Sequence, residues 1–488
     1  MRKILSALLV LMLLVPAAFA GAEDAPYEIN ILMPTFYAET FQAENNPVLQ
    51  AMEAATNTKL TITFVPDATY PEAISTALMD ADTMPQLIIF KGVQDPIVVD
   101  SARAGAFWDL TDYIADTEYL KDGSEVVYNN IKIDGRLYGI YRSRPLARNG
   151  IIYRKDWAEE LGLGAPETLE DLANMAKAFT NAEKNTYGLV MCKYVDGTIK
   201  EATIMHGAPN TWGINEAGDI YPAHEDAKFR DGLNWLRDLY AAGAINQDFM
   251  ALESTIWDDP IKNSQGGIKM DVMDGGPRLQ DYFTKELGEE NTIFNLIPYV
   301  KNAEGEARMW PTAGQAGMVT ITKSAKTEED MLKCLKFLDF LNSAEGQTLV
   351  NWGVADVTYG IDEEGFRFTL PQEQTPVVNS IQNSINQLGM AVNGALDLPM
   401  KNDELRTLYN QILIDNMDKV IGDPCAAFIS ETNTMYGATL KTLLEDAHVQ
   451  YIAGEIDEAG LEAVYQQWRA NGGEQVISEM NEMYKAAH

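Results

Sequence analysis

The first ninety residues switch between two hydrophobic periods. Residues 27–35, YEINILMPT, are a nearly continuous apolar run that breaks at Pro34. Val48, Leu49, Met52 and Ala55 then recur at helical spacing, and KLTITFV at 59–65 is β-branched with period two. A further helix is predicted near 71–80, followed by MPQLIIF at 84–90, a short apolar run suited to a strand buried on both faces. Strands alternating with helices imply crossover units, hence a mostly parallel sheet with helices on both sides: an α/β fold.

The same grammar continues at 149–172, NGIIYRKDWAEELGLGAPETLEDL. GIIY is strand-like, Trp157 and Leu161 share a face of a short helix that Gly162 can end, and Thr168 with Asp171 fits a capping box. Leu169, Leu172, Ala176 and Phe179 follow at helical spacing. These residues read as scaffold, and Trp157 as a packing residue. Phe229, Leu233, Leu236 and Tyr240 predict another amphipathic helix, GGIKMDVM at 266–273 a strand, and the last 120 residues are largely helical in pattern. No internal repeat and no low-complexity linker divides the chain, so its domains are expected to exchange chain more than once.

Composition narrows the function classes. Of 488 residues, 46% are apolar and the formal net charge is −35, which fits a folded chain and opposes nucleic acid or an anionic membrane as partner. Arg2 and Lys3, the apolar run from Ile4 to Val15 and Ala18-Phe19-Ala20 read as a signal peptide over 1–20. About 12 apolar residues cannot cross a bilayer core that needs roughly 20, and no later stretch is long enough, so no membrane insertion is expected. The first cysteine is Cys192, far from the expected cleavage point. The chain is therefore expected to be exported, periplasmic or extracellular, and not lipid-anchored. Cys192, Cys334 and Cys425 are widely spaced, and His206, His224, His448 and His488 fit no metal motif, so neither disulfide, metal nor cofactor is expected. Cys334, within MLKCLKFLDFL, is expected in the core.

Several blocks in order resemble the extracellular solute-binding proteins of carbohydrate ABC importers. They are AGAFWDLTDYI (104–114), YGIYRSRPLARNGIIYRKDWAEELGLGAPETLEDL (138–172), GAPNTWGINEAGDIY (207–221), WLRDLYAAGAINQDF (235–249), FLDFLNSAEGQTLVNWGV (337–354) and GGEQVISEMNEMY (472–484). The resemblance implies a two-lobed, type II-like periplasmic-binding-protein fold with a hinge and a helical C-terminal extension. It implies crossings near 140–148, near 310 and after about 365. Lobe 1 would hold 27–141 and 313–365, and lobe 2 would hold 142–312 and 366–488. An oligosaccharide would sit between the lobes of a monomer, closure would favour the bound state, and an ABC permease would receive the ligand; no bond would be made or broken.

Sugar sites combine aromatic faces with polar side chains, at the carboxyl ends of strands in open α/β sheets. The candidates are Tyr37 after the first strand, Trp212 in a Pro/Gly-bounded loop, Trp257, and Trp310 before the second crossing. Trp235 and Trp468 lie on apolar helix faces and are expected in the core. At 274–278, DGGPR, the resemblance leads to an aromatic after Gly-Pro, but Arg278 stands there. With Arg142, Arg144 and Arg148 at the hinge approach, and Asp274 opening the same motif, this predicts recognition of an acidic oligosaccharide by guanidinium forks, unless these arginines pair with local carboxylates. The stretch 179–189, FTNAEKNTYGL, lacks the Asp-rich run that a calcium cage requires. The competing readings are a binding protein for another solute, such as a peptide, and a secreted glycan-acting enzyme. The second would yield altered product; a receptor would saturate and release its ligand unchanged.

Overall fold

The computed structural model describes residues 25–35, 40–287, 292–370, 378, 381, 382, 384, 385, 387, 388 and 402–487. The expected signal peptide and Tyr37 lie outside them. The strands that organise the molecule, in chain order, are β1 (Tyr27–Thr35), β2 (Thr58–Pro66), β3 (Leu87–Phe90), β4 (Gly139–Ser143), β5 (Asn149–Arg154), β6 (Tyr187–Leu189), β7 (Trp212–Ile214), β8 (Ile220–Pro222), β9 (Gly266–Val272), β10 (Phe294–Ile297) and β11 (Gln315–Ile321).

The first lobe is built on a sheet of order β2-β1-β3-β11-β4. β1 pairs in parallel with β2 and β3, whereas β11 runs antiparallel to β3 and β4 because it enters from the other lobe. β3 is buried at every position, as a strand covered on both faces must be, while β2 at the edge alternates, with Leu60 and Ile62 inside and Lys59 and Thr61 outside. The second lobe uses β10-β5-β9-β6, with β5 antiparallel to both neighbours and wholly buried. Behind β5, Trp157 meets Phe179 edge-on at 5.5 Å and lies under the Arg154 guanidinium at 4.7 Å, so it packs the lobe as expected. The helix Leu169–Phe179 opens with the predicted capping box: Asp171 N–H donates to Thr168 Oγ1 and Thr168 N–H donates to the Asp171 carboxylate. Cys334 is fully buried in the first lobe.

One boundary differs from the sequence reading. Ile381, Ile385 and Leu388 belong to the hydrophobic cluster of the first lobe, so packing keeps the chain there beyond 365, the expected point of return. No local pattern marks this, because a partner that holds the segment is far away in sequence: Asn46 Nδ2 donates to Ile381 O, 335 positions on. The helices Glu431–Ala453, Glu458–Trp468 and Glu474–Ala487 then cover the second lobe, placing Ala447, Tyr451, Leu461 and Tyr465 in its core.

Candidate functional site

Two crossings lie side by side between the lobes. Thr312 N–H donates to Leu146 O at 3.0 Å, Arg144 N–H to Gly314 O at 3.0 Å, and Asn149 Nδ2 to Trp310 O at 3.1 Å. Above them opens a cleft of about 850 Å³. The first lobe supplies Gln94 and Asp95 after β3, and Val126 and Asn130. The second supplies Lys200, Asn210, Thr211, Asp271 at the end of β9, and Asp423; Trp310 stands at the crossing itself.

The helix Val195–Met205 shows how the sequence positions Lys200. Nearly every side chain on it is buried, and the exceptions are Asp196 and Lys200, one turn apart and paired at 3.1 Å. That pairing turns the ammonium towards Trp310, 5.7 Å from its ring centroid. Beside it, burial pushes the Asp423 carboxyl up to about 6, against the opposing pull of the Cys425 N–H, the Thr211 hydroxyl and the Lys200 charge. Thr211 is a β-branched residue held at φ 61, a conformation that costs on the order of 1–3 kcal/mol and persists only where its surroundings impose it. Asp271 is balanced by Lys269 at 3.2 Å, which also reaches Asp258 at 2.7 Å over the face of Trp257. Deeper still, Glu201 is 1% exposed, and burial, followed by the Asp271 charge, drives its pKa well above the ordinary carboxylate value.

Of the residues expected at the ligand, the structure brings Trp310 to the cleft and Trp212 to a cavity that adjoins it. Trp257 is 5% exposed and donates Nε1–H to Val190 O at 3.0 Å, inside a hydrophobic cluster. The arginines are placed differently from the expected carboxylate clamp. Arg142 is 3% exposed and donates to Ala316 O at 2.7 Å and to Gln387 Oε1 at 2.5 Å; burial and then the Arg144 charge lower its pKa to about 10. Arg148 holds Asp274 at 3.0 Å, and Arg278 pairs with the same carboxylate from the solvent side. Burial raises Asp274, but the Arg148 hydrogen bond and both guanidinium charges outweigh it, leaving its pKa below the ordinary value. Arg144, half-buried, is lowered by burial and by Arg148. The local-carboxylate alternative therefore accounts for Arg148 and Arg278, and none of Arg142, Arg144, Asp274 and Arg278 lines the cleft. Sequence reasoning passed over Lys200 and Asp423. The available signal was a lone Asp-Lys pair, four apart, on a helix otherwise filled with residues that bury.

A family model described as bacterial extracellular solute-binding protein matches residues 37–348. The chain belongs to that family. Among relatives of this solute-binding protein, Lipoprotein LipO of Bacillus subtilis is 30% identical over 480 residues, covering 96% of this chain and 94% of its own. The polygalacturonan/rhamnogalacturonan-binding protein YtcQ of the same organism is 30% identical over 457 residues, covering 91% and 89%. The crystal structure of alginate-binding protein AlgQ2 without calcium ion superposes with a TM-score of 0.65 at 19% identity, across 95% of this chain and 99% of that one, which establishes the two-lobed fold. One expectation is corrected. A relative matched across 96% of the chain is named a lipoprotein, which overturns the reading of a protein without a lipid anchor. The exported character accords with the extracellular family.

Proposed function

We propose that this solute-binding protein captures an oligosaccharide in the interlobe cleft and delivers it, unchanged, to the permease of an ABC importer. The observation that carries the reading is the cleft itself: about 850 Å³, walled by both lobes and both crossings, with Trp310 beside Asn130, Asn210, Thr211 and Gln94. An aromatic face for a pyranose ring and convergent amides and hydroxyls for its oxygens are what a sugar site requires. Contacts with both lobes favour the closed form by their differential affinity, and the closed form presents the surface a permease reads. X-ray scattering with a panel of trisaccharides tests this. Contraction with at least one of them, with the sugar recovered intact, is expected; no contraction with any, or a cleaved product, sinks the reading.

A finer reading is that the ligand carries a carboxylate. YtcQ and AlgQ2 are named for uronate polymers, and Lys200 supplies a cation beside Trp310. A charge-assisted hydrogen bond contributes about 1.5–3 kcal/mol, so Lys200→Met should weaken trigalacturonic acid at least tenfold in calorimetry and leave maltotriose unaffected. If maltotriose binds and trigalacturonic acid does not, the ligand is neutral and the oligosaccharide reading stands without the acid.

A further inference from the structure

The cleft does not end at Lys200. Behind it, walled mainly by the second lobe, lies a second cavity of about 460 Å³ that shares Gln94, Lys200, Thr211, Asp423 and Ala426 with the cleft. Beyond that mouth, aromatic and aliphatic side chains gather on its wall: Trp212 from β7, Phe229, Phe428, Leu440 and Trp468. Such a wall accepts an apolar ring, and the polar side chains that share the lining, Ser430, Asn433, Thr434, Lys441, Glu445 and His448, can meet its substituents. One further polar group of the lining stands out. His224 is 7% exposed and its Nε2 has no hydrogen-bond partner, although the ring is fixed edge-on by Tyr465 at 4.8 Å and by Trp468 at 4.6 Å. Burial, followed by the charges of His448 and Arg469, pushes the His224 pKa down to about 3, so the ring is neutral. A buried nitrogen with nothing to bond is uncommon and calls for a partner.

We propose that this chamber is a subsite for an aryl group attached to the glycan. The ring would lie among Trp212, Phe428 and Trp468, and an oxygen on it or on its linkage would meet His224 Nε2. The sugar rings stay in the cleft on Trp310, and the substituent passes between Lys200 and Asp423. The proposal rests on the cleft being a glycan site and adds that the ligand is decorated: the polar cleft selects the chain, and the aromatic wall of the chamber selects the appendage.

Matched pairs test this: trigalacturonic acid and maltotriose, each free and as its p-nitrophenyl glycoside, titrated calorimetrically into the whole protein. Burying an aromatic ring should make the aryl form of whichever trisaccharide binds at least tenfold tighter than the free form. Leu444→Trp fills the chamber and should bring the ratio of the two affinities close to one. Gly437→Leu, two turns earlier on the same chamber-lining face of the helix Glu431–Ala453, meets the side chain of Asn433 at its Cβ and serves if the first variant melts early. Equal affinity of free and aryl forms in the unaltered protein overturns the chamber, as does an aryl preference that survives in a folded filled variant. If the free trisaccharides bind in either case, the oligosaccharide reading is untouched. If no glycan binds in any form, that reading falls and the subsite falls with it.

Discussion

Two charged regions of this protein use similar side chains to opposite ends. At the hinge approach, Arg148 and Arg278 close on Asp274, and the set is complete without a ligand. At the cleft, Lys200 is held by Asp196 on one side and faces Trp310 on the other, with burial raising the Asp423 carboxyl beside it to about 6. The first region uses its charges within the fold; the second places a paired lysine and a buried carboxyl on the wall of the cleft. A cluster of arginines in sequence therefore says little about ligand charge until the carboxylates around it are placed, since an ion pair already made costs desolvation and partner loss to break.

The comparison is broken most forcefully at Asp274. Asp274→Ala leaves Arg148 half-buried without its partner and should destabilise the fold by about 2 kcal/mol in denaturant unfolding, with little change in the affinity of the remaining folded protein. An equal loss of affinity with intact stability would make it a ligand residue after all. Trp310→Ala should do the reverse, weakening trisaccharide binding about tenfold through the lost stacking face while the unfolding midpoint holds. The smallest effect lies at Asp423. Its folded pKa, about 6, is above the ordinary 3.8, so the protonated form is the one that folding favours. The stability it contributes is present below about pH 3.8 and is lost as pH rises through 6. The melting temperature of Asp423→Asn relative to the unaltered protein should therefore climb between about pH 4 and 6 and level off above. Binding of trigalacturonic acid should strengthen a few-fold on acidification through about pH 6 in the unaltered protein only.

Much of the scaffold was legible beforehand for local reasons. The capping box at Thr168 and Asp171, the alternating edge strand β2 and the packing role of Trp157 each depend on residues a few positions apart or on one element's face. The candidate site was less so. Trp257 sits at the start of a short turn that the sequence leaves ambiguous, and only the arrival of Lys269 above its ring and of Val190 O at its nitrogen settles it into the interior. Trp212 faces the adjoining chamber because the C-terminal helices, more than 200 residues later, wall it in.

The sequence by itself determined the α/β alternation, the two-lobed family and the helical C-terminal covering, because hydrophobic period and motif order are properties of neighbouring residues. The tertiary structure alone decided which charges neutralise one another, which tryptophans meet solvent space, and where the chain finally leaves the first lobe. Those outcomes depend on pairs such as Arg148 with Asp274, 126 positions apart, and Coulomb and packing energies fall with distance in space, not with distance along the chain.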